Sequence, residues 1–201
     1  SSTTENGGTV STKVRLKSAP LSPVTITLNS SDTQEGTVSP TVLTFNKDNW
    51  DSYVSIIVTG VDDDIADGSQ SYEIQIASIV SEDSKYSALN GQIDPIKLQN
   101  EDDEIKAIVL GSLSGDTTEA GGNATFSVKL ASKPIEAVSI PIISTDTSEG
   151  TVSVSSLSFD NSNYNTVQIV TVNGQDDDER DGNIAYQVKI GPTSSNSLPY
   201  N

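Results

Sequence analysis

Apolar and polar residues alternate with a period of two along much of this chain. Val10, Thr12, Val14 and Leu16 form one such series, and so do Val24, Ile26 and Leu28, then Val54, Ile56 and Val58, then Tyr72, Ile74 and Ile76. Such spacing puts every second side chain on one face, as a strand with one buried and one wet face requires. Turn-forming residues separate the runs: Gly7-Gly8, Ser18-Ala19-Pro20, Asp67-Gly68 and Asn90-Gly91. No stretch holds the 3.6-residue period of a helix, so the chain is predicted to be all-β.

The pattern is also duplicated. Sliding the chain on itself by 114 residues aligns residues 3–76 with residues 117–190 without a gap, and 31 of the 74 positions are identical. Thr3-Thr4-Glu5 falls on Thr117-Thr118-Glu119, Glu35-Gly36-Thr37-Val38-Ser39 on Glu149-Gly150-Thr151-Val152-Ser153, and Asp62-Asp63-Asp64 with Asp67-Gly68 on Asp176-Asp177-Asp178 with Asp181-Gly182. Two copies of one unit are therefore expected, residues 1–104 and 105–201. About seven short strands per copy, with turns every 8 to 12 residues, predict two tandem immunoglobulin-like antiparallel β-sandwiches. The apolar run Ala107-Ile108-Val109-Leu110-Gly111-Ser112-Leu113 precedes the second copy and has no counterpart in the first. Conversely, Ile96-Lys97-Leu98-Gln99-Asn100 continues the first copy and has no counterpart in the second. The expectation is that the first copy has its opening strand missing or partial and the second lacks its closing one, as in a piece of a longer array or in subunits that exchange strands.

Composition narrows the chemistry. Among 201 residues there is no cysteine, histidine or methionine, which removes disulfides, thiol and imidazole nucleophiles, and every sulfur or nitrogen side-chain ligand of a zinc site. Aspartate and glutamate number 28 against 11 lysines and arginines, for a formal charge of −17. A nucleic acid or an anionic membrane is repelled by that charge, and a cation is attracted. No apolar run approaches the ~18 residues needed to span a bilayer, so no membrane insertion is expected. Paired carboxylates can hydrolyse glycosides, but here they are crowded on turns in duplicate. Gly111-Ser112-Leu113-Ser114-Gly115 misses a nucleophile elbow because its central residue is leucine. The chain is not expected to be an enzyme.

The acids are gathered rather than spread. Asp62, Asp63, Asp64 and Asp67 follow one predicted strand, Glu101-Asp102-Asp103-Glu104 follows the last strand of the first copy, and Asp176-Asp177-Asp178-Glu179 with Asp181 repeats the first group. Carboxylates about 4 Å apart repel by roughly 4 kcal/mol at an effective dielectric near 20. A turn that crowds them either splays into water or holds a cation. In a sandwich whose last three strands alternate in direction, the two acidic runs of the first copy leave at the same edge. A hard cation with six to eight oxygen ligands suits such a gathering, and Ca²⁺ suits it better than Mg²⁺. An EF-hand is excluded, because a loop begun at Asp62 places Asp67 where its invariant glycine belongs.

Val58-Thr59-Gly60-Val61-Asp62-Asp63-Asp64-Ile65-Ala66-Asp67-Gly68 followed by Tyr72-Glu73-Ile74 resembles the Calx-beta signature. So do Glu5-Asn6-Gly7-Gly8, Gly36-Thr37-Val38 before Leu43-Thr44-Phe45, and Asn100-Glu101-Asp102-Asp103. The resemblance covers nearly all of the first copy and what is present of the second. It implies seven-stranded sandwiches of the kind found in regulatory regions of sodium/calcium exchangers, in an integrin beta subunit and in repeats of large bacterial surface and secreted proteins. It also implies calcium ligands at Glu5, Asp62, Asp63, Asp67, Asp102 and Asp103. Asp32 is a looser match, because it lies in Ser30-Ser31-Asp32-Thr33 rather than the family's Ala-Gly-x-Asp-Tyr pattern. The repeat offset carries the set to Glu119, Asp146, Asp176, Asp177 and Asp181, where the closing acidic run is missing.

The function expected from these readings is a calcium-binding, rigidifying repeat module of a large bacterial extracellular or cell-surface protein. Its partners would be neighbouring repeats of the same chain or neighbouring subunits. An ion held by Asp102 and Asp103 would fix the connection between the copies. The alternative is a calcium-independent filament subunit joined through incomplete sandwich edges. A sugar-binding surface at Trp50 or Tyr53 is a third reading, against which Trp50, just before a strand, reads better as a packed aromatic.

Overall fold

Two units divide the chain in the computed structural model, which describes residues 1–176 and 182–193. Unit 1 comprises Ser1–Asp63 and Asp67–Asp103, and unit 2 comprises Asp64–Ala66 and Glu104–Asn201. Asp64–Ala66, from the middle of the first acidic turn, groups with unit 2, where the Lys133 N–H donates to the Asp64 carbonyl at 2.7 Å.

Unit 1 contains β1 (Ser2–Thr4), β2 (Thr9–Val14), β3 (Val24–Ser30), β4 (Gly36–Ser39), β5 (Val42–Phe45), β6 (Val54–Gly60), β7 (Gln70–Val80), a single helical turn α1 (Ser84–Ser87) and β8 (Ile96–Glu101). They form a five-stranded sheet in the order β1-β8-β7-β3-β5 and a three-stranded sheet β2-β6-β4. One core joins the two sheets: Val24, Ile26, Leu43, Phe45, Tyr72, Ile74 and Leu98 from the larger meet Val38, Ile56 and Val58 from the smaller. Alternation in the sequence becomes alternation in burial, most clearly in β3, where Val24, Ile26 and Leu28 point inward while Thr25 and Thr27 are partly exposed.

Two features depart from the sequence reading. The helical turn was not expected; its cap is Asp83, which accepts from the Lys85 N–H at 3.1 Å and from the Leu21 N–H at 2.9 Å, pinning the Pro20 turn to the turn after β7. These two donors, Leu21 first, hold the Asp83 carboxyl below the usual aspartate range. The sandwich is also not purely antiparallel. β1 lies parallel to β8, with Thr3 opposite Asn100, because residues 2–4 run beside the closing strand before the chain turns at Gly7-Gly8 into the other sheet. Thr3 is 1% exposed and its hydroxyl meets Tyr72 Oη and Asn100 Oδ1, each at 2.9 Å.

Unit 2 contains β9 (Ile108–Leu110), β10 (Asn123–Leu130), β11 (Val138–Ser144), β12 (Gly150–Val152), β13 (Ser156–Phe159), β14 (Gln168–Gly174) and β15 (Val188–Ile190). Its sheets are β12-β14-β10-β9 and β13-β11-β15, packed on a core that includes Val128, Leu130, Ile140, Phe159 and Val170. β9, formed by the apolar run before the second copy, pairs with β10. The corresponding flank of β2 has no strand among the described residues of unit 1.

Phe45 and its repeat counterpart Phe159 are both fully buried. Phe45→Ala or Phe159→Ala is expected to destabilise its own unit by about 3–5 kcal/mol, measured as a lower midpoint in urea denaturation.

Candidate metal centre

The closing strand β8 organises the acidic edge of unit 1. Asn100, near its end, is completely buried. Its Oδ1 accepts from the Thr3 hydroxyl, and its Nδ2 donates to the Val61 carbonyl at 2.8 Å and, more weakly, to Glu35 Oε2 at 3.5 Å. One side-chain amide thus ties the first strand, the start of the acidic turn after β6 and the turn before β4. Backbone bonds reinforce it: the Glu5 N–H donates to the Glu101 carbonyl at 3.0 Å, the Val61 N–H to the Glu35 carbonyl at 3.1 Å and the Gly60 N–H to the Gly8 carbonyl at 3.0 Å. Gly60 is required here, because a Cβ would run into the Thr4 carbonyl and the Asn100 amide.

With these segments fixed, carboxylates from separate parts of the sequence converge. A carboxylate oxygen of Glu5 lies within 4.8 Å of one on Asp102, and the same holds for Asp62 and Asp103. Glu5 is only 2% exposed, while Asp102 is half-buried and Asp62 and Asp103 reach solvent. The backbone N–H of Gly68 donates to Asp102 Oδ2, tethering the end of the Asp62–Asp67 turn to the run after β8. Asp63 is half-buried and Asp67 exposed, and both act on Glu35. Burial first, and then the charges of Asp67, Asp32 and Asp63, push the Glu35 carboxyl above the usual glutamate range, against the pull of its Asn100 hydrogen bond. Asp32 itself is exposed and accepts from the Gln34 N–H at 2.9 Å, capping its own turn. It is not among the acids whose oxygens converge.

Unit 2 is different. Glu119 and Asp176 are exposed, and Asp146 accepts from the Ser148 hydroxyl and, at 3.0 Å, from the Ser148 N–H, which lowers its pKa below the ordinary aspartate value. Asp177 and Asp181 lie outside the described residues. No three acids drawn from unit 2 alone converge among the described residues.

Sequence reasoning missed Asn100, Glu35 and Thr3 as parts of this edge. Each carried a signal, since Thr3 and Glu35 are identical in the second copy and Asn100 opens the Asn100-Glu101-Asp102-Asp103 segment of the resemblance. The aromatic candidates lie elsewhere. Trp50 packs against the core, and the Arg15 guanidinium sits 5.0 Å from the centroid of the exposed Tyr53 ring.

The converging donors of unit 1 are all carboxylate oxygens, with one acid buried, which fits a hard divalent cation and no soft one. No family model matches the chain, and no curated protein matches it. Among solved structures, the chain is similar to CBD12 from CALX1.2 at 13% identity, with 96% of this chain and 77% of that one covered and a TM-score of 0.39. It is similar to the calcium binding domain CBD12 of CALX1.1 at 15% identity over the same shares, with a TM-score of 0.40. A third similar structure is the YadV chaperone, at 13% identity and a TM-score of 0.33, with 87% of this chain and 84% of that one covered.

Because its folded pKa is raised, Glu35 penalises the folded state at neutral pH, and the penalty fades as pH falls through that pKa toward the ordinary glutamate value. Glu35→Gln keeps an acceptor for Asn100. In chelator it is expected to melt higher than the parent at about pH 7 and to lose that advantage near about pH 4.5, measured by thermal denaturation across pH.

Proposed function

We propose that unit 1 is a Calx-beta-like calcium-binding module and that the chain is a tandem pair of immunoglobulin-like sandwiches from a bacterial extracellular or cell-surface protein, acting without catalysis. The observation that carries the reading is the convergence of Glu5 with Asp102 and of Asp62 with Asp103, at an edge where four distant segments are pinned by Asn100 and the backbone. Isolated, these carboxylates repel; a divalent ion turns the same geometry from a cost into an attraction. Asp63 and Asp67 complete the supply of oxygens, and Glu35 adds a further carboxylate beside them. Calcium bound there also restrains residues 102–103, from which the chain continues into the second repeat. In unit 2, Glu119, Asp146 and Asp176 with Asp177 and Asp181 form a weaker set, because Asp146 is already engaged in its own turn. Sensitivity to calcium at the millimolar levels outside cells suits an extracellular spacer that is stiff only where calcium is plentiful.

Calcium at about 100-fold above its dissociation constant is expected to stabilise the folded state by about 2.7 kcal/mol, read as a higher melting midpoint than in chelator. The double substitution Asp102→Asn with Asp103→Asn should abolish that shift and the calorimetric binding signal while leaving the metal-free midpoint unchanged or higher. Equal midpoints for the parent with calcium and with chelator would overturn the reading.

A further inference from the structure

Three asparagine–glycine pairs occur in the chain: Asn6-Gly7, Asn90-Gly91 and Asn173-Gly174. Glycine has no Cβ to shield its own backbone nitrogen, so in such a pair that nitrogen can approach the side-chain carbonyl carbon of the asparagine before it. By sequence the three are equal. The fold separates them.

In Asn173-Gly174 the nitrogen is held inside a sheet. Both residues belong to β14, Gly174 is buried, and its N–H donates to the Gly122 carbonyl at 3.2 Å. Asn6-Gly7 is exposed, and the Thr4 hydroxyl donates to Asn6 Oδ1 at 2.6 Å. The Gly7 N–H, however, is shared by two carbonyls, that of Glu5 at 2.7 Å and that of Thr4 at 3.1 Å. Asn90-Gly91 lies in the turn after α1 with both residues exposed, and among the described residues none accepts from the Gly91 N–H. Gly91 sits at φ +73°, in the region that favours glycine, with open space where a Cβ would stand. Only the asparagine side chain is fixed here: Asn90 Oδ1 accepts from the Ile79 N–H at 2.9 Å. β8 pairs with β7 over residues 70–74 alone, and Asn90 serves the strand farther along, at Ile79, which is 6% exposed.

We infer that Asn90 is a site of spontaneous deamidation, selected from the three pairs by the fold. Hydroxide takes the proton of the Gly91 N–H and the nitrogen bonds to Asn90 Cγ, while the Ile79 N–H stabilises the negative charge that gathers on Oδ1. The tetrahedral centre then expels its amino group, which takes a proton from water and leaves as ammonia, restoring the hydroxide. What remains is a five-membered succinimide ring. Water opens the ring at either of its two carbonyls. Opening at Cγ gives aspartate, and opening at the backbone carbonyl gives isoaspartate, whose main chain runs through Cβ and Cγ. One water is consumed and one ammonia released in either case, and a neutral side chain becomes a carboxylate. Aspartate keeps an acceptor for the Ile79 N–H. Isoaspartate carries its carboxylate directly on Cα and draws it back from Ile79, which loosens the edge of β7 beyond the reach of β8.

The test incubates the whole chain at mildly alkaline pH in heavy-oxygen water, folded in one sample and unfolded in urea in another, and follows each pair by peptide mass mapping. The urea sample gives the relative rates that sequence alone sets. In the folded chain, the rate at Asn90 relative to Asn6 and to Asn173 is expected to exceed that reference by about tenfold or more, the rate equivalent of one hydrogen bond. Solvent oxygen should appear in both aspartate and isoaspartate at position 90. Asn90→Gln keeps an amide but would have to close a six-membered ring, and it is expected to silence this position while leaving the other two unchanged. A relative rate at Asn90 no higher in the folded chain than in urea, against either of the other pairs, would overturn the proposal.

Discussion

An extended segment persists in a folded protein only where its backbone N–H and C=O groups find partners, and in this chain one strand supplies them for two neighbours at once. β8 satisfies the outer edge of β7 and is the only strand with which β1 pairs among the described residues. The same strand carries Leu98 into the core and Asn100 into the junction of β1 with two turns. Where it is present, Thr3 and Tyr72 are buried and the first residues form a strand. In unit 2, where no described strand takes that place, residues 116–118 and 184–187 lie outside its strands.

The acidic edge depends on this strand as well. Crowding carboxylates costs free energy unless they are dispersed by solvent or neutralised. Asp32 and Asp146 resolve the problem locally by accepting from their own turns. At Glu5, the hydrogen bond from its N–H to the Glu101 carbonyl fixes the backbone beside Asp102. Glu35 responds instead by holding its proton to higher pH. A rigid backbone and an excess of negative charge are thus opposed at one edge of unit 1, and it is the backbone that prevails.

Much of the strand framework was legible in the sequence because it rests on period two. β3, β6 and the first half of β7 bury alternate residues on one face, and the second copy repeats that spacing 114 residues on. β1 was not legible, for three residues are too few to show a period and its pairing is with a strand almost a hundred residues away. The parallel orientation is likewise set by that distant partner. α1 follows from an Asp83 cap whose second donor, Leu21, is remote in sequence. At the site, the acids were visible as clusters and the Calx-beta resemblance selected among them. Spacing alone could not separate Glu5, buried beside Asp102, from Asp32, turned to its own loop. Asn100 was visible as the first residue of the Asn100-Glu101-Asp102-Asp103 segment, but its role as the amide that holds the edge together shows only in its burial and bonds.

The parallel pairing of β1 with β8 bears on how unit 1 meets tension. Its first and last strands are neighbours in one sheet, and Ser2, Thr3 and Thr4 lie opposite Gln99, Asn100 and Glu101. A pull applied between the two ends of the unit runs along both strands in opposite senses, so these bonds are loaded together in shear instead of being peeled apart one after another. The buried Thr3–Asn100 bond lies across the same seam and shares the load. Rupture there must break the whole patch in one event, and resistance of that kind is set by the rate of crossing the unfolding barrier rather than by equilibrium stability.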